Sequence, residues 1–283
     1  MATPAQKLRA LLNSGEHFIA ADAYSALTGR IVERVGFKAA YLGGHACSAF
    51  HYAVPDNGVF SQVEQLDQAA RIAAAIDIPL IADADTLGET VADAFHFTRR
   101  YVRAGIAGYH VEDEINPKHS TYANGLLPIA DMQARLEACC KGRGDSEFVI
   151  IARCDELYPN AYRGGGTGSL EEAIRRGKAY AEAGADALCF PLMKPDMLPV
   201  LKAEIPVPIC VLGVPVPGAA LTLHTGWGWL GAAQLHLARA KTLFETGSLE
   251  MDPTLEGKSA LIEQDLFDEL VSDWARKTGR EVR

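Results

Sequence analysis

Short apolar runs that end in polar residues recur along this 283-residue chain, and a stretch with helical spacing follows nearly every one. A strand buried on both faces of a parallel sheet reads as continuous apolar residues, and a helix is the usual crossover between such strands. After a leading helix over Gln6 to Leu12, His17 to Asp22 reads as the first strand. The helix behind it sets Leu27, Ile31, Val32 and Val35 on one face and stops at Gly36. Ala39 to Gly44 is the second strand and runs into a double glycine. The helix Gln62 to Ile76 feeds a third strand, Pro79 to Ala82, which closes in Asp83 and Asp85 before Gly88. Helix Glu89 to Ala104 and strand Gly108 to Asp113 follow, then helix Ile129 to Cys140 and strand Phe148 to Arg153. Helix Leu170 to Ala183, strand Ala187 to Pro191 and strand Pro208 to Gly213 continue the series. Gly226 to Gly231 is the candidate for an eighth strand, with a helix from about Ala232 to Glu245 behind it.

Eight such units predict an α/β fold: a closed (β/α)8 barrel of the TIM type over residues 1–246, with a C-terminal helical extension over 247–283. Leu261, Leu266, Leu270 and Trp274 form an apolar stripe on that extension, expected to pack between subunits. An open doubly wound sheet is the rival, but no glycine-rich phosphate loop follows the first strand. With 48% hydrophobic and 22% charged residues, the chain can bury a large core. Its net charge of -9 argues against nucleic acid and against anionic membranes. No apolar run approaches the ~20 residues of a membrane span, and MATPAQKLRALLNSG lacks an apolar signal core, so a soluble, cytoplasmic protein is expected. The six cysteines show no ligand spacing and mostly sit in apolar runs, as buried thiols do.

Reactive groups of a parallel barrel collect at the carboxyl ends of its strands. Here those ends carry Tyr41 with Gly43 and Gly44, then Asp83 and Asp85, then His110, Glu112 and Asp113, then Arg153 and Asp155. Two carboxylates two residues apart on one strand face need a cation or a shared proton. Oxygen ligands favour Mg²⁺, with Mn²⁺ as a substitute. The plainer alternative is that one aspartate caps the next helix and the other meets an arginine. As a set, the residues suit a cation and Arg153 acting on a developing enolate oxygen while glycine amides hold a carboxylate.

Tyr41-Leu42-Gly43-Gly44, Asp83-Ala84-Asp85-Thr86, His110 to Glu114 with Asn116-Pro117-Lys118, and Ile151 to Asp155 together resemble the isocitrate lyase / phosphoenolpyruvate mutase superfamily. The resemblance spans roughly Ala39 to Ala187. It implies a (β/α)8 barrel, often a tetramer that exchanges a C-terminal helix, and Mg²⁺ bound to an enolate-forming 2-oxo acid. On that footing Asp83 is the direct metal ligand, and Asp85 and Glu112 hold metal-bound waters. Arg153 sits at the 2-oxo or hydroxyl oxygen of a small 2-oxo or 2-hydroxy acid. Tyr41, Gly43, Gly44 and the neighbouring His45 lie where the substrate carboxylate is held. Asp56, His110 and Lys118 match further active-site positions.

The chain also departs from that pattern. Lys118-His119-Ser120 stands where lyases of the superfamily carry a catalytic cysteine, so Ser120, assisted by His119, is the replacement candidate. Leu192 and Leu212 replace polar residues that grip distal carboxylates, which predicts an apolar end to the substrate pocket. Leu87 stands where glycine usually follows threonine, which predicts a reshaped turn beside the metal. The resulting expectation is a Mg²⁺-dependent carbon-carbon lyase. Oxaloacetate decarboxylation is the first alternative. A phosphonopyruvate-type P-C enzyme or a non-catalytic sensing barrel follows.

Overall fold

The computed structural model of the chain describes residues 2–119, 125–158, 165–250 and 257–281. Among these, eight parallel strands close into a barrel in sequence order. They are β1 (Phe18–Asp22), β2 (Ala39–Leu42), β3 (Leu80–Asp83), β4 (Gly108–Glu112), β5 (Val149–Arg153), β6 (Ala187–Pro191), β7 (Ile209–Leu212) and β8 (Leu221–His224). Phe18 opposite Leu221 closes the ring. The crossover helices begin with α2 (Ala26–Val35), which follows the leading α1 (Pro4–Leu12). A short α3 (Gly44–Cys47) runs into one π-helical turn, Ser48–Tyr52, before α4 (Gln62–Ala73). Then come α5 (Val91–Arg103), α6 (Ile129–Arg143), α7 (Leu170–Glu182), α8 (Leu198–Glu204) and α9 (Trp227–Thr246). Ser25, Ser61 and Thr90 open α2, α4 and α5 with reciprocal capping boxes, each contributing about 1 kcal/mol.

Side-chain alternation divides the core into two layers. Leu42, Leu80, Tyr109, Ile150 and Leu188 pack outward against the helices, while Ala20, Ala39, Ile81, Val149, Cys189 and Cys210 fill the barrel interior. Leu8 and Leu12 of α1 join the interior layer and plug its amino-terminal end. That approach requires Gly108: a Cβ there would lie 2.7 Å from the Val149 carbonyl oxygen and 3.0 Å from Leu8. All six cysteines are free, and all but the half-buried Cys140 are buried.

The eighth strand lies five residues upstream of the expected Gly226 to Gly231 segment. Gly226 has φ +90°, a left-handed conformation that ends extended structure, and Trp227 already begins α9. The four-residue run Leu221–His224 is the strand, its Thr222 bonded to His17 at 2.9 Å. The sequence reading also passed over α3 and α8, each of seven residues or fewer.

The chain divides into two compact units, residues 1–233 and 234–283. The second contains the remainder of α9, α10 (Lys258–Leu261) and α11 (Gln264–Lys277). Of the expected apolar stripe, Leu261 is buried, whereas Leu266, Leu270 and Trp274 are exposed, as are Phe267 and Val271 beside them. No helix among the described residues is long and apolar enough to cross a membrane.

Candidate active site

Strand alternation decides what reaches the barrel mouth. Ile81 faces inward on β3, so Asp83 does too; Tyr109 and Val111 face outward on β4, so His110 and Glu112 face inward; Ile151 faces inward on β5, and so does Arg153. On β2 and β7 the same rule brings Tyr41 and Leu212 inward, both packed against the interior layer. These ends frame a cavity of about 470 Å³. Its wall includes Tyr41, Gly43, Gly44, His45, Asp56, Asp83, Arg153 and Leu212 from the sequence expectations. Among the described residues, Pro55, Asn57, His119, Tyr158 and Thr225 line it too.

Asp83 is the only one of the three expected metal-site acids on the cavity wall. Both its oxygens take backbone amides, Oδ2 from Gly44 at 2.9 Å and Oδ1 from Asp85 at 2.8 Å. The double glycine thus brings one amide onto the carboxylate, and a Cβ at Gly44 would come within 2.9 Å of it. β3 ends at Asp83, so Asp85 does not continue the strand face; it has φ +51° and sits in the following turn. Behind the wall, Lys118 Nζ lies 2.8 Å from Glu112 Oε1, 3.3 Å from Asp56 Oδ1 and 3.4 Å from Asp85 Oδ2. Arg153 Nη1 meets Glu112 Oε2 at 2.7 Å, and its Nε and Nη2 both donate to Asp155 Oδ1, at 3.1 and 2.8 Å.

The electrostatics follow from burial and these cations. Burial pushes the Asp83 carboxyl up, but nearby positive charge outweighs it and holds the group below the ordinary carboxylate range. Burial also lowers the pKa of His110. After burial, the groups acting on Asp83 are His110, Lys118, Arg153 and the Asp85 amide, all of which lower its pKa. Asp85 is pushed up to about 7, by burial first and then by Glu112, Asp56 and Asp83, against Lys118. Burial opposes the charge on Glu112 too, yet Arg153 and Lys118 keep its pKa low. Asp83 and Glu112 thus keep their charge beside Lys118 and Arg153, whereas burial pushes Asp85 and Asp155 up, and a divalent cation at Asp83 would favour the charged form of Asp85.

The remaining expectations divide. Tyr41 Oη and His110 Nε2 are hydrogen-bonded at 2.8 Å at the wall. Ser120 lies outside the described residues. Leu192 does not reach the cavity: β6 ends at Pro191, and Leu192 turns out with φ +50° against Gly213, 37% exposed. Leu87 adopts φ +58° but is fully buried in the outer core, away from the cavity. Asp113 points outward and accepts from Tyr180 at 2.7 Å, a packing role. Sequence reasoning missed Thr225 and Tyr158, whose loop positions carry no periodic signal.

Residues 8–235 match the phosphoenolpyruvate phosphomutase family. The chain belongs to that family. The chain is similar to proteins of several named activities. The 2,3-dimethylmalate lyase of Eubacterium barkeri is 33% identical over 186 residues, 65% of this chain and 62% of that protein. The phosphonopyruvate hydrolase of Variovorax sp. (strain Pal2) is 36% identical over 190 residues, 66% and 63% of the two chains. The match thus spans less than two thirds of either relative's length. A solved phosphonopyruvate hydrolase complex with oxalate and Mg²⁺ aligns over 96% of this chain and 99% of that one, with TM-score 0.82 and 26% identity.

Proposed function

We propose that this family member is a divalent-metal-dependent lyase that cleaves the C–C bond beside C2 of a 2-hydroxy carboxylate with an alkyl tail. The carrying observation is that Asp83 and Arg153 share one cavity wall while Glu112, Asp85 and Lys118 form a buried charged layer behind it. Among the described residues no three His, Cys, Asp or Glu side chains group closely enough to enclose a metal ion. Mg²⁺ keeps most of its waters and takes one or two carboxylates directly. Asp83 would be the direct ligand, with Asp85 and Glu112 holding waters. When bound, the cation would supply Lewis-acid stabilisation to the oxygen on C2.

The protein's own groups account for the rest. Arg153, fixed by Glu112 and Asp155, presents a planar donor set to the C2 oxygen. His45 and the Gly43 backbone adjoin the place of the C1 carboxylate. The C2 hydroxyl proton passes toward the Tyr41–His110 pair as C2 becomes a carbonyl; C3 of the substrate carries a carboxylate beside the alkyl tail, so the C2–C3 electrons move onto it and the departing fragment leaves as an enolate. That proton, returned to C3, completes the reaction. Leu212 would receive the tail. Oxaloacetate decarboxylation needs the same head-group machinery, but would set a second carboxylate against Leu212. The exposed apolar face of α11 supports assembly as a homotetramer.

The test is incubation of Mg²⁺-loaded protein with a panel of 2-hydroxy and 2-oxo acids, read by mass spectrometry. Cleavage of an alkyl-tailed 2-hydroxy acid into two fragments is expected. Turnover of oxaloacetate alone would replace this reading with the decarboxylase.

A further inference from the structure

His119 is engaged from two sides. Its Nδ1 lies 3.0 Å from the Asp56 carbonyl oxygen, a group that only accepts, so Nδ1 carries a proton. Its Nε2 faces Glu114 Oε2 at 3.5 Å, and both atoms are buried without a hydrogen-bond partner among the described residues. The other Glu114 oxygen accepts the Gly165 amide at 3.1 Å. Two bare acceptors facing each other in a buried site would be unfavourable, so one proton must lie on Oε2 or on Nε2. The backbone at His119 has φ +50°. A non-glycine residue holds that conformation at a cost of about 1–2 kcal/mol, and only where its surroundings fix it. The residue before it, Lys118, is 3% exposed and inserts its ammonium between Asp56, Asp85 and Glu112.

We propose that Glu114 and His119 are positioning residues: His119 ties the segment after β4 to the loop bearing Asp56, and Glu114 braces the other side of its ring, thereby holding Lys118 in the buried carboxylate layer. The His119–Asp56 bond joins the two loops beside the Lys118–Asp56 ion pair, and the Glu114 contact fixes the strained residue next to Lys118. Because His119 also lines the cavity beside Tyr158, with ring centroids 5.8 Å apart, the clamp fixes part of the wall itself. Its consequence for turnover rests on the function proposed above. The placement of Lys118 does not.

The experiment reads Lys118 directly. The full-length protein is treated with acetic anhydride, and acylation at Lys118 is followed by peptide mass spectrometry. Wild type should be protected. His119→Phe and Glu114→Leu should each raise the Lys118 rate by about tenfold, the scale of one lost buried hydrogen bond. Glu114→Gln, whose amide can donate to Nε2, should stay protected. The double variant should react no faster than His119→Phe alone, because that change already removes the contact Glu114 makes with the ring. Buried Cys154 must stay unreactive to a thiol reagent throughout, which a general loosening would not allow. If His119→Phe exposes Cys154 as well, the Glu114→Leu and Glu114→Gln pair decides. Lys118 equally protected in His119→Phe, or equally reactive in the two Glu114 variants, overturns the clamp. Absence of turnover on any acid would instead refute the functional reading and leave the labelling result standing.

Discussion

The ends of β2 to β5 and the ends of β6 to β8 form two halves of one barrel mouth, built with opposite chemistry. The first half turns Tyr41, Asp83, Glu112 and Arg153 inward, and the last three are ion-paired or bonded to amides. The second half offers Leu212 and Thr225 to the cavity and turns Leu192 away. Backbone alternation treats both halves alike, so residue identity alone makes the difference. A charged head group and an apolar tail would then be recognised by separate parts of the mouth, and a change in one half should leave the other's selectivity intact.

The largest effects belong to the charged half. Chelation should abolish turnover, and Mg²⁺ or Mn²⁺ should restore it. Asp83→Asn should weaken Mg²⁺ binding, titrated calorimetrically, by about 100-fold or more. Unchanged affinity would mean that this half does not hold the cation through Asp83. Arg153→Lys keeps the charge but loses the planar fork, and kcat should fall by about 10²–10³ with every tail tested. A loss confined to one tail class would break the division of labour.

Next in size is an acid in the same inward register with a different role. Asp22 closes β1, but the backbone N–H groups of Gly226, Gly228 and Trp229 at the start of α9 face it, and it is absent from the cavity wall. Burial pushes its pKa up to about 6, further than those amides pull it down. The folded protein therefore holds this proton more tightly than the unfolded chain. Its contribution is greatest below the unfolded pKa of about 4 and is lost as pH rises to about 6. Asp22→Asn should remove up to about 3 kcal/mol of that fall. Urea unfolding of both proteins at pH 4, 5 and 6.5 checks this, and parallel curves would show that Asp22 is not the titrating group.

The contrast also shows what could be read from sequence. Asp83, Glu112 and Arg153 were legible because continuous apolar runs fixed strand identity and alternation fixed their direction. The metal-site expectation remains a proposal, but the inward placement of these residues is observed. β8 was not legible: Leu221–His224 is only four residues long, and the glycine-spaced tryptophans after it imitate a strand until Gly226 turns left-handed. Leu192 was misplaced for a different reason: Leu188 and Phe190 of β6 face outward, so strand parity already turns Leu192 away from the mouth, and its positive φ ends the strand there.

That misplacement sharpens the smallest prediction, which concerns the apolar half alone. Leu212 reaches the cavity and Leu192 does not, although both stand where distal carboxylates were expected to be gripped. Each methylene of an alkyl tail buried against Leu212 would contribute up to about 0.8 kcal/mol, a few-fold in kcat/KM. Comparing methyl, butyl and carboxymethyl tails should therefore give the butyl compound the highest value and the carboxymethyl compound the lowest. Leu212→Ala should flatten the methyl-to-butyl rise, and Leu212→Glu should reverse it by placing a charge where the tail packs. Leu192→Ala should leave the ranking unchanged, because its side chain rests on Gly213 and solvent. Equal responses at the two positions would show that the tail extends past Leu212 to the end of β6. A carboxymethyl preference in the wild type would mean that the second half of the mouth binds charge through Thr225, and decarboxylation of oxaloacetate would become the leading function.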